Sequence, residues 1–138
     1  MFIVEDTEMF YGRKESFPLK AETYKIIGLA IEVHKTLGKG FLEIIYKDAL
    51  ELELKWAEVP YTREKSFMIN YKGTLLKRLY NADFVVYDKI IVEIKSQTEI
   101  IDANYKQTIN YLAVSNLSVG LILNFGKESL SFHRVILT

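Results

Sequence analysis

Asn81-Ala82-Asp83-Phe84-Val85-Val86-Tyr87-Asp88-Lys89-Ile90-Ile91-Val92-Glu93-Ile94-Lys95 reads as two strands joined by a tight turn. Most of it is apolar and β-branched or aromatic, the composition of buried sheet. Asp83, Glu93 and Lys95 nevertheless fall inside those strands, and charged residues are rarely buried unless they are paired or bind a metal. Side chains alternate across a strand, so Asp83, Val85 and Tyr87 share one face of the first strand. Ile91, Glu93 and Lys95 share one face of the second. A three-residue turn, Tyr87-Asp88-Lys89, pairs Val86 with Ile90, Phe84 with Val92 and Asp83 with Glu93. Directly opposite residues have Cβ atoms roughly 4.5–5.5 Å apart, close enough for two carboxylates to grip one cation. A two-residue turn would throw the two onto opposite faces. The reading therefore requires an odd turn or an equivalent bulge.

The rest of the chain sets bounds. Its 138 residues are one domain's worth, and 49% hydrophobic residues suffice for a core. No apolar run approaches the ~20 residues that span a bilayer. Nothing at the N-terminus looks like a signal peptide, since Met1-Phe2-Ile3-Val4 is followed by Glu5, Asp6 and Glu8. There is no cysteine, hence no disulfide and no Cys-based zinc site. A cytoplasmic location is expected. Formal net charge is zero, which argues against avid nonspecific nucleic-acid binding. Three negatives lie in the first eight residues, so the remainder is net positive by three.

Residues 1–19 read as an arm or tail, and 20–138 as a single domain. Residues 20–37 have helical spacing, with Tyr24, Ile27, Ile31 and Leu37 in the apolar stripe and Gly38 as C-cap. His34 sits close to that stripe. A lone histidine there reads as a core residue, a site role being the alternative. Residues 41–57 read as a second helix with Phe41, Ile44, Ile45, Leu52 and Trp56 on its apolar side. Glu43 lies in the first turn, where a carboxylate favours the helix dipole. Tyr46, at i+3, shares its face and is placed to orient it by hydrogen bond. Strands follow at 61–71, 75–87 and 90–95, an antiparallel meander. Lys72, Lys77 and Arg78 cluster near its first hairpin, as a solvated edge or as phosphate contacts. Residues 98–114 read as a third helix with Gln107 and Tyr111 on one face. Val119-Gly120-Leu121-Ile122-Leu123-Asn124-Phe125 reads as a strand buried on both sides, and 130–137 as a last strand at an edge. The order ααβββαββ gives a mixed sheet, a three-strand meander plus C-terminal strands, flanked by helices in an α/β (α+β) fold.

Gly40-Phe41-Leu42-Glu43-Ile44-Ile45-Tyr46 spells G-x-x-E-x-x-Y, after Ile31-Glu32-Val33-His34-Lys35-Thr36-Leu37-Gly38. Together these resemble the GxxExxY protein family, a branch of the PD-(D/E)xK nuclease-like superfamily. Asp83 with Glu93-Ile94-Lys95 is similar to the superfamily's D…(D/E)-x-K signature. Gln107 and Tyr111 resemble the family's Q-x-x-x-Y segment, and Asn124-Phe125-Gly126 its usual strand ending. The resemblance spans about residues 20–137. Two departures stand out: Ala82 takes the place of proline before Asp83, and Asn104 stands where many relatives carry histidine.

The resemblance implies a restriction-endonuclease-like core and a nuclease using Mg²⁺ or Mn²⁺. All-oxygen ligands suit such hard cations. Asp83 and Glu93 would be direct ligands, the Ile94 carbonyl a third, and Glu43 the holder of a second metal or a water. Lys95 would touch the attacking water or the scissile phosphate. Gln107 would position backbone or water, with Tyr111 and Tyr46 in support. Without metal, Asp83 and Glu93 repel and one carboxyl pKa should rise. Three other readings stand beside the enzyme. One is a silent nuclease-fold module that binds nucleic acid or a protein. Another is a buried Lys95–Glu93/Asp83 ion-pair network serving fold specificity. The last is a homodimer that uses Phe10, Tyr11 and Phe17.

Overall fold

The computed structural model describes the backbone of residues 5–11 and 18–137, with side-chain detail for 18–137. The elements are β1 (Glu5–Tyr11), α1 (Lys20–Leu37), α2 (Glu43–Trp56), β2 (Tyr61–Tyr71), β3 (Thr74–Val86), β4 (Ile90–Lys95), α3 (Asp102–Ser115), β5 (Val119–Asn124) and β6 (Ser131–Leu137). The strands make a six-stranded sheet in the order β1-β6-β5-β4-β3-β2. β2, β3 and β4 form the expected meander. β4 and β5 lie parallel, joined by a crossover through α3, because a parallel pair cannot be closed by a tight turn.

The apolar runs of β4 and β5 are buried on both faces, as a central parallel pair requires. One face lies under α1 and α2, where Ile26, Ala30, Val33, Leu50 and Leu54 meet Phe84, Val92, Leu121 and Leu123. The other lies under α3, where Tyr111 and Leu112 meet Ile91, Ile122 and Val135. Gly38 caps α1 at φ 71°, a conformation that suits glycine, and its N–H bonds the His34 carbonyl.

Two expectations are corrected. The residues 130–137 are not an edge strand: β6 lies between β5 and β1, which pairs with it in parallel. Its alternating polar residues look solvent-facing in the sequence. They are instead satisfied inside, the His133 ring lying 2.8 Å from the Tyr105 hydroxyl and 3.1 Å from Ser131 Oγ. Part of the expected N-terminal arm is thus a strand, while residues 1–4 and 12–17 lie outside the described residues. So do the side chains of Phe10, Tyr11 and Phe17, which the homodimer reading used.

The second correction concerns α2. Phe41, Ile44, Ile45, Leu52 and Trp56, assigned to its buried side, are all exposed, Trp56 by 71%. The buried side is Tyr46, Leu50 and Leu54. The helix carries two overlapping apolar stripes, and the one with the tyrosine faces the core. Tyr46 can be buried because its hydroxyl donates to the Gly38 carbonyl at 2.6 Å and accepts the Phe41 N–H at 3.2 Å. Tyr24 on α1 is likewise exposed. Among the described residues, no helix is long and apolar enough to cross a membrane. Denaturant unfolding checks the face of α2: Leu50→Ala costs about 2–5 kcal/mol, whereas Trp56→Ala stays within about 1 kcal/mol.

Candidate metal and catalytic site

The ladder between β3 and β4 starts at Val86–Ile90 and ends at Phe84–Val92. The odd turn that the carboxylate pair requires is present. Tyr87 and Asp88 both take positive φ, and the Lys89 N–H bonds the Val86 carbonyl at 3.1 Å. Beyond Phe84–Val92 the strands part. β3 stays with β2, and β4 stays with β5 as far as Lys95–Asn124. Side chains take over the backbone's bonds at this fork. The Asp83 N–H donates to Glu93 Oε2 at 3.2 Å, and the Ile94 N–H donates to Asp83 Oδ2 at 2.8 Å. Each carboxylate thus holds the opposite strand.

Glu93 is 2% exposed. Burial first, and the Asp83 charge second, push its carboxyl up to about 9. It therefore carries a proton at neutral pH, as expected for a metal-free pair. Its Oε1 is buried with no hydrogen-bond partner among the described residues. Lys95 lies two residues on, and its ammonium donates to Gln107 Oε1 on α3 at 3.2 Å.

A family model described as the PD-(D/E)XK nuclease superfamily matches residues 20–135. The chain belongs to that superfamily. The mixed sheet and its flanking helices are the restriction-endonuclease-like core expected. Among solved structures, the crystal structure of SSO0001 matches with a TM-score of 0.55 at 18% identity, a likeness of fold. The match covers 85% of this chain and 59% of that one, so the chain spans well under two thirds of SSO0001's length. No curated protein matches the chain.

The pattern that names the superfamily, an acid and then (D/E)-x-K, falls here on Asp83, Glu93 and Lys95. The other expected residues are placed unevenly around it. Tyr111 is buried beside the pair with its ring edge-on to Tyr80 at 5.0 Å. Burial, then the charges of Glu93 and Asp83, push its phenol up to about 12. Gln107 Oε1 accepts the Lys95 ammonium. Glu43 is the first residue of α2 and half-buried. Among the described residues no group of three His, Cys, Asp or Glu gathers to hold a metal, so Glu43 does not join Asp83 and Glu93. Tyr46 does not orient Glu43, because its hydroxyl is committed to Gly38 and Phe41. His34 is a core residue: its Nε2 donates to the Lys127 carbonyl at 2.8 Å and its ring stacks on Phe125.

Sequence reasoning missed Lys47. Its ammonium lies 2.8 Å from Asp83 Oδ1 and 3.5 Å from Glu64 Oε1. Burial lowers its pKa, but the bond to Asp83 and that carboxylate's charge outweigh it, and the net shift is upward. The available signal was spacing, since Lys47 is one turn after Glu43 on the same helix face. Glu64 stands where β2 kinks, at φ 55°. Arg63–Phe84 and Lys65–Ala82 pair normally, and the 64–83 pair between them is missing. A further knot anchors the far end of β4. Asn124 Oδ1 accepts the Gln97 and Gly126 N–H groups, and Asn124 Nδ2 donates to the Gln97 carbonyl. A Cβ at Gly126 would collide with the Gln97 backbone, so glycine is required there. Asn104 caps α3, accepting the Ile101 N–H, and also holds Gln97.

The donor set suits a hard cation. Two carboxyl groups face each other, and one offers an oxygen that no group among the described residues satisfies. The protonated Glu93 also has a measurable consequence. An unfolded glutamate ionises near 4.5, while the folded one keeps its proton up to about 9. The unfolded state therefore releases this proton first, and stability falls as pH rises through that window. Glu93→Gln, which does not titrate, should raise the Tm of the metal-free protein by roughly 5 °C or more at pH 8. The gain should disappear at pH 4. Thermal unfolding followed by circular dichroism at the two pH values checks this, and a pH-independent difference contradicts it.

Proposed function

We propose that the protein is a divalent-metal-dependent nuclease that hydrolyses phosphodiester bonds in nucleic acid, DNA in preference to RNA. The observation that carries this reading is the facing Asp83–Glu93 pair with its buried, unsatisfied Glu93 oxygen. Asp83 and Glu93 would hold Mg²⁺ or Mn²⁺, with the Ile94 carbonyl as a further ligand. Bound there, the cation lowers the pKa of water and neutralises charge on the phosphate.

The chain's own residues prepare that chemistry. Burial around Glu93 keeps the local dielectric low, which strengthens every charge interaction there. Lys95, tethered by Gln107, sets a fixed positive charge beside the carboxylates, where a phosphate needs stabilising. Lys47 neutralises Asp83 while no cation is present. Glu43, on the Lys47 face of α2, is proposed to hold a water or a second cation. The finer placement in the GxxExxY branch rests on Gly40, Glu43 and Tyr46. The bonds of Tyr46 to Gly38 and Phe41 fix the entry into α2, and with it the height at which Glu43 leaves the helix.

A second reading is a silent module that binds nucleic acid or a protein without cutting. It is favoured by the 2.8 Å Lys47–Asp83 contact. Calorimetric titration with Mn²⁺, beside cleavage assays on single-stranded, duplex and branched DNA and on RNA, separates the two. Asp83→Asn should abolish both metal binding and cleavage. Lys95→Ala should keep metal binding and lose about 100-fold or more in cleavage rate. Metal binding without cleavage of any substrate establishes the silent module, and no metal binding at all refutes the metal site.

A further inference from the structure

We infer that the outer half of the β2–β3 hairpin is a DNA-docking arm that enters the major groove of B-form duplex beside the site. The inference rests on the nuclease reading above, whose substrate class it names. Beyond the fork at Phe84, β3 has no neighbour but β2, and the pair runs on to Tyr71–Thr74. That is about 25 Å of ribbon past Asp83, the length of roughly seven base pairs. Met68, paired with Leu79, is exposed, and so are Leu75 and Leu76. An isolated two-stranded ribbon is marginal in water, so this one is built to be covered.

Charge identifies what covers it. The chain is neutral overall, with 18 basic and 18 acidic residues, yet residues 65–81 hold Lys65, Lys72, Lys77 and Arg78 and no carboxylate. All four are exposed and make no ion pair among the described residues. Tyr80 packs on Tyr111 of α3 and so marks one face, which Lys65 shares through the Lys65–Ala82 and Phe67–Tyr80 pairs. Lys77 and Arg78 lie between Leu79 and Leu75, where the register shifts, and Lys72 sits at the tip. Cations strung along an exposed ribbon as far as its tip suit the phosphate walls of a groove. The B-DNA major groove is about 12 Å wide and admits a two-stranded ribbon. The A-form RNA major groove is too narrow for one. Met68, Leu75 and Leu79 then have the thymine methyl groups as apolar partners. The strand that carries Asp83 continues directly into this arm, so the arm sets the duplex in register with the carboxylates.

Fluorescence anisotropy in EDTA, where no cleavage occurs, tests the arm with a short labelled DNA duplex and an RNA duplex of the same sequence. Two triple variants of equal charge change are compared: Lys72→Ser/Lys77→Ser/Arg78→Ser on the ribbon, and Lys20→Ser/Lys25→Ser/Lys35→Ser on α1. Every substituted residue is exposed. The wild type should bind the DNA duplex more tightly than the RNA duplex. The ribbon variant should weaken DNA binding by about 10-fold or more and flatten its log–log salt slope by about 2–3, while the α1 variant changes little. Equal losses in both variants, unchanged binding in the ribbon variant, equal affinity for RNA duplex, or no DNA binding by the wild type would each overturn the inference. A dimer that Met68→Ser/Leu79→Ser dissociates, with DNA affinity unaffected by the ribbon charges, would overturn it in favour of a second copy as the occupant. Ribbon-dependent DNA binding by a protein that never cleaves supports the arm and sinks only the nuclease reading.

Discussion

Two hydrogen bonds across the β3–β4 fork, Asp83 N–H to Glu93 and Ile94 N–H to Asp83, replace the ladder just where the strands separate. A buried backbone amide must find an acceptor, and here the acceptors are carboxyl side chains. This substitution brings two carboxylates edge to edge in a dry place, which is costly unless one keeps its proton or a cation arrives. The rest of the molecule tolerates and exploits that cost. β5 takes up β4 on the far side of the fork, so β4 stays rigid while β3 leaves it. The crossover through α3 then brings Gln107 back over the strand end to hold Lys95.

Backbone strain also lies on the other side of the fork. Glu64 takes a left-handed conformation that costs a side-chain-bearing residue about 1–3 kcal/mol. It does so opposite Asp83, where the β2–β3 ladder skips a pair. Lys47 reaches both residues from α2 and binds the kink to the carboxylate site. The same kink is where the buried sheet gives way to the exposed ribbon. Site and ribbon are therefore one mechanical unit, with Asp83 at the joint.

Local sequence carried the fork unusually well. Apolar runs, the charges at 83, 93 and 95, and the parity of a three-residue turn are all short-range facts, and they set the Val86–Ile90 and Phe84–Val92 pairs; the expected Asp83–Glu93 pair lies just past the ladder's end, joined by side-chain bonds instead. What failed was long-range. The polar alternation of β6 looks like an edge, because nothing local says that Tyr105 from α3 will satisfy His133 or that residues 5–11 will add a strand. The two stripes of α2 differ by a tyrosine whose burial depends on the loop at 38–41. Lys47 was hidden for a similar reason. A lysine on a helix reads as solvated until the tertiary fold puts a carboxylate under it.

The central claim is that Glu93, beside Asp83, keeps a proton that a divalent cation displaces. Carbon NMR of the glutamate carboxyls, assigned to Glu93 with the Glu93→Gln variant, reads this most directly. The metal-free protein should show Glu93 protonated at pH 7 with a midpoint near 9. Adding Mg²⁺ at pH 7 should move its signal to the ionised position. A Glu93 that titrates in the ordinary carboxylate range without metal, or that ignores Mg²⁺, would contradict the account.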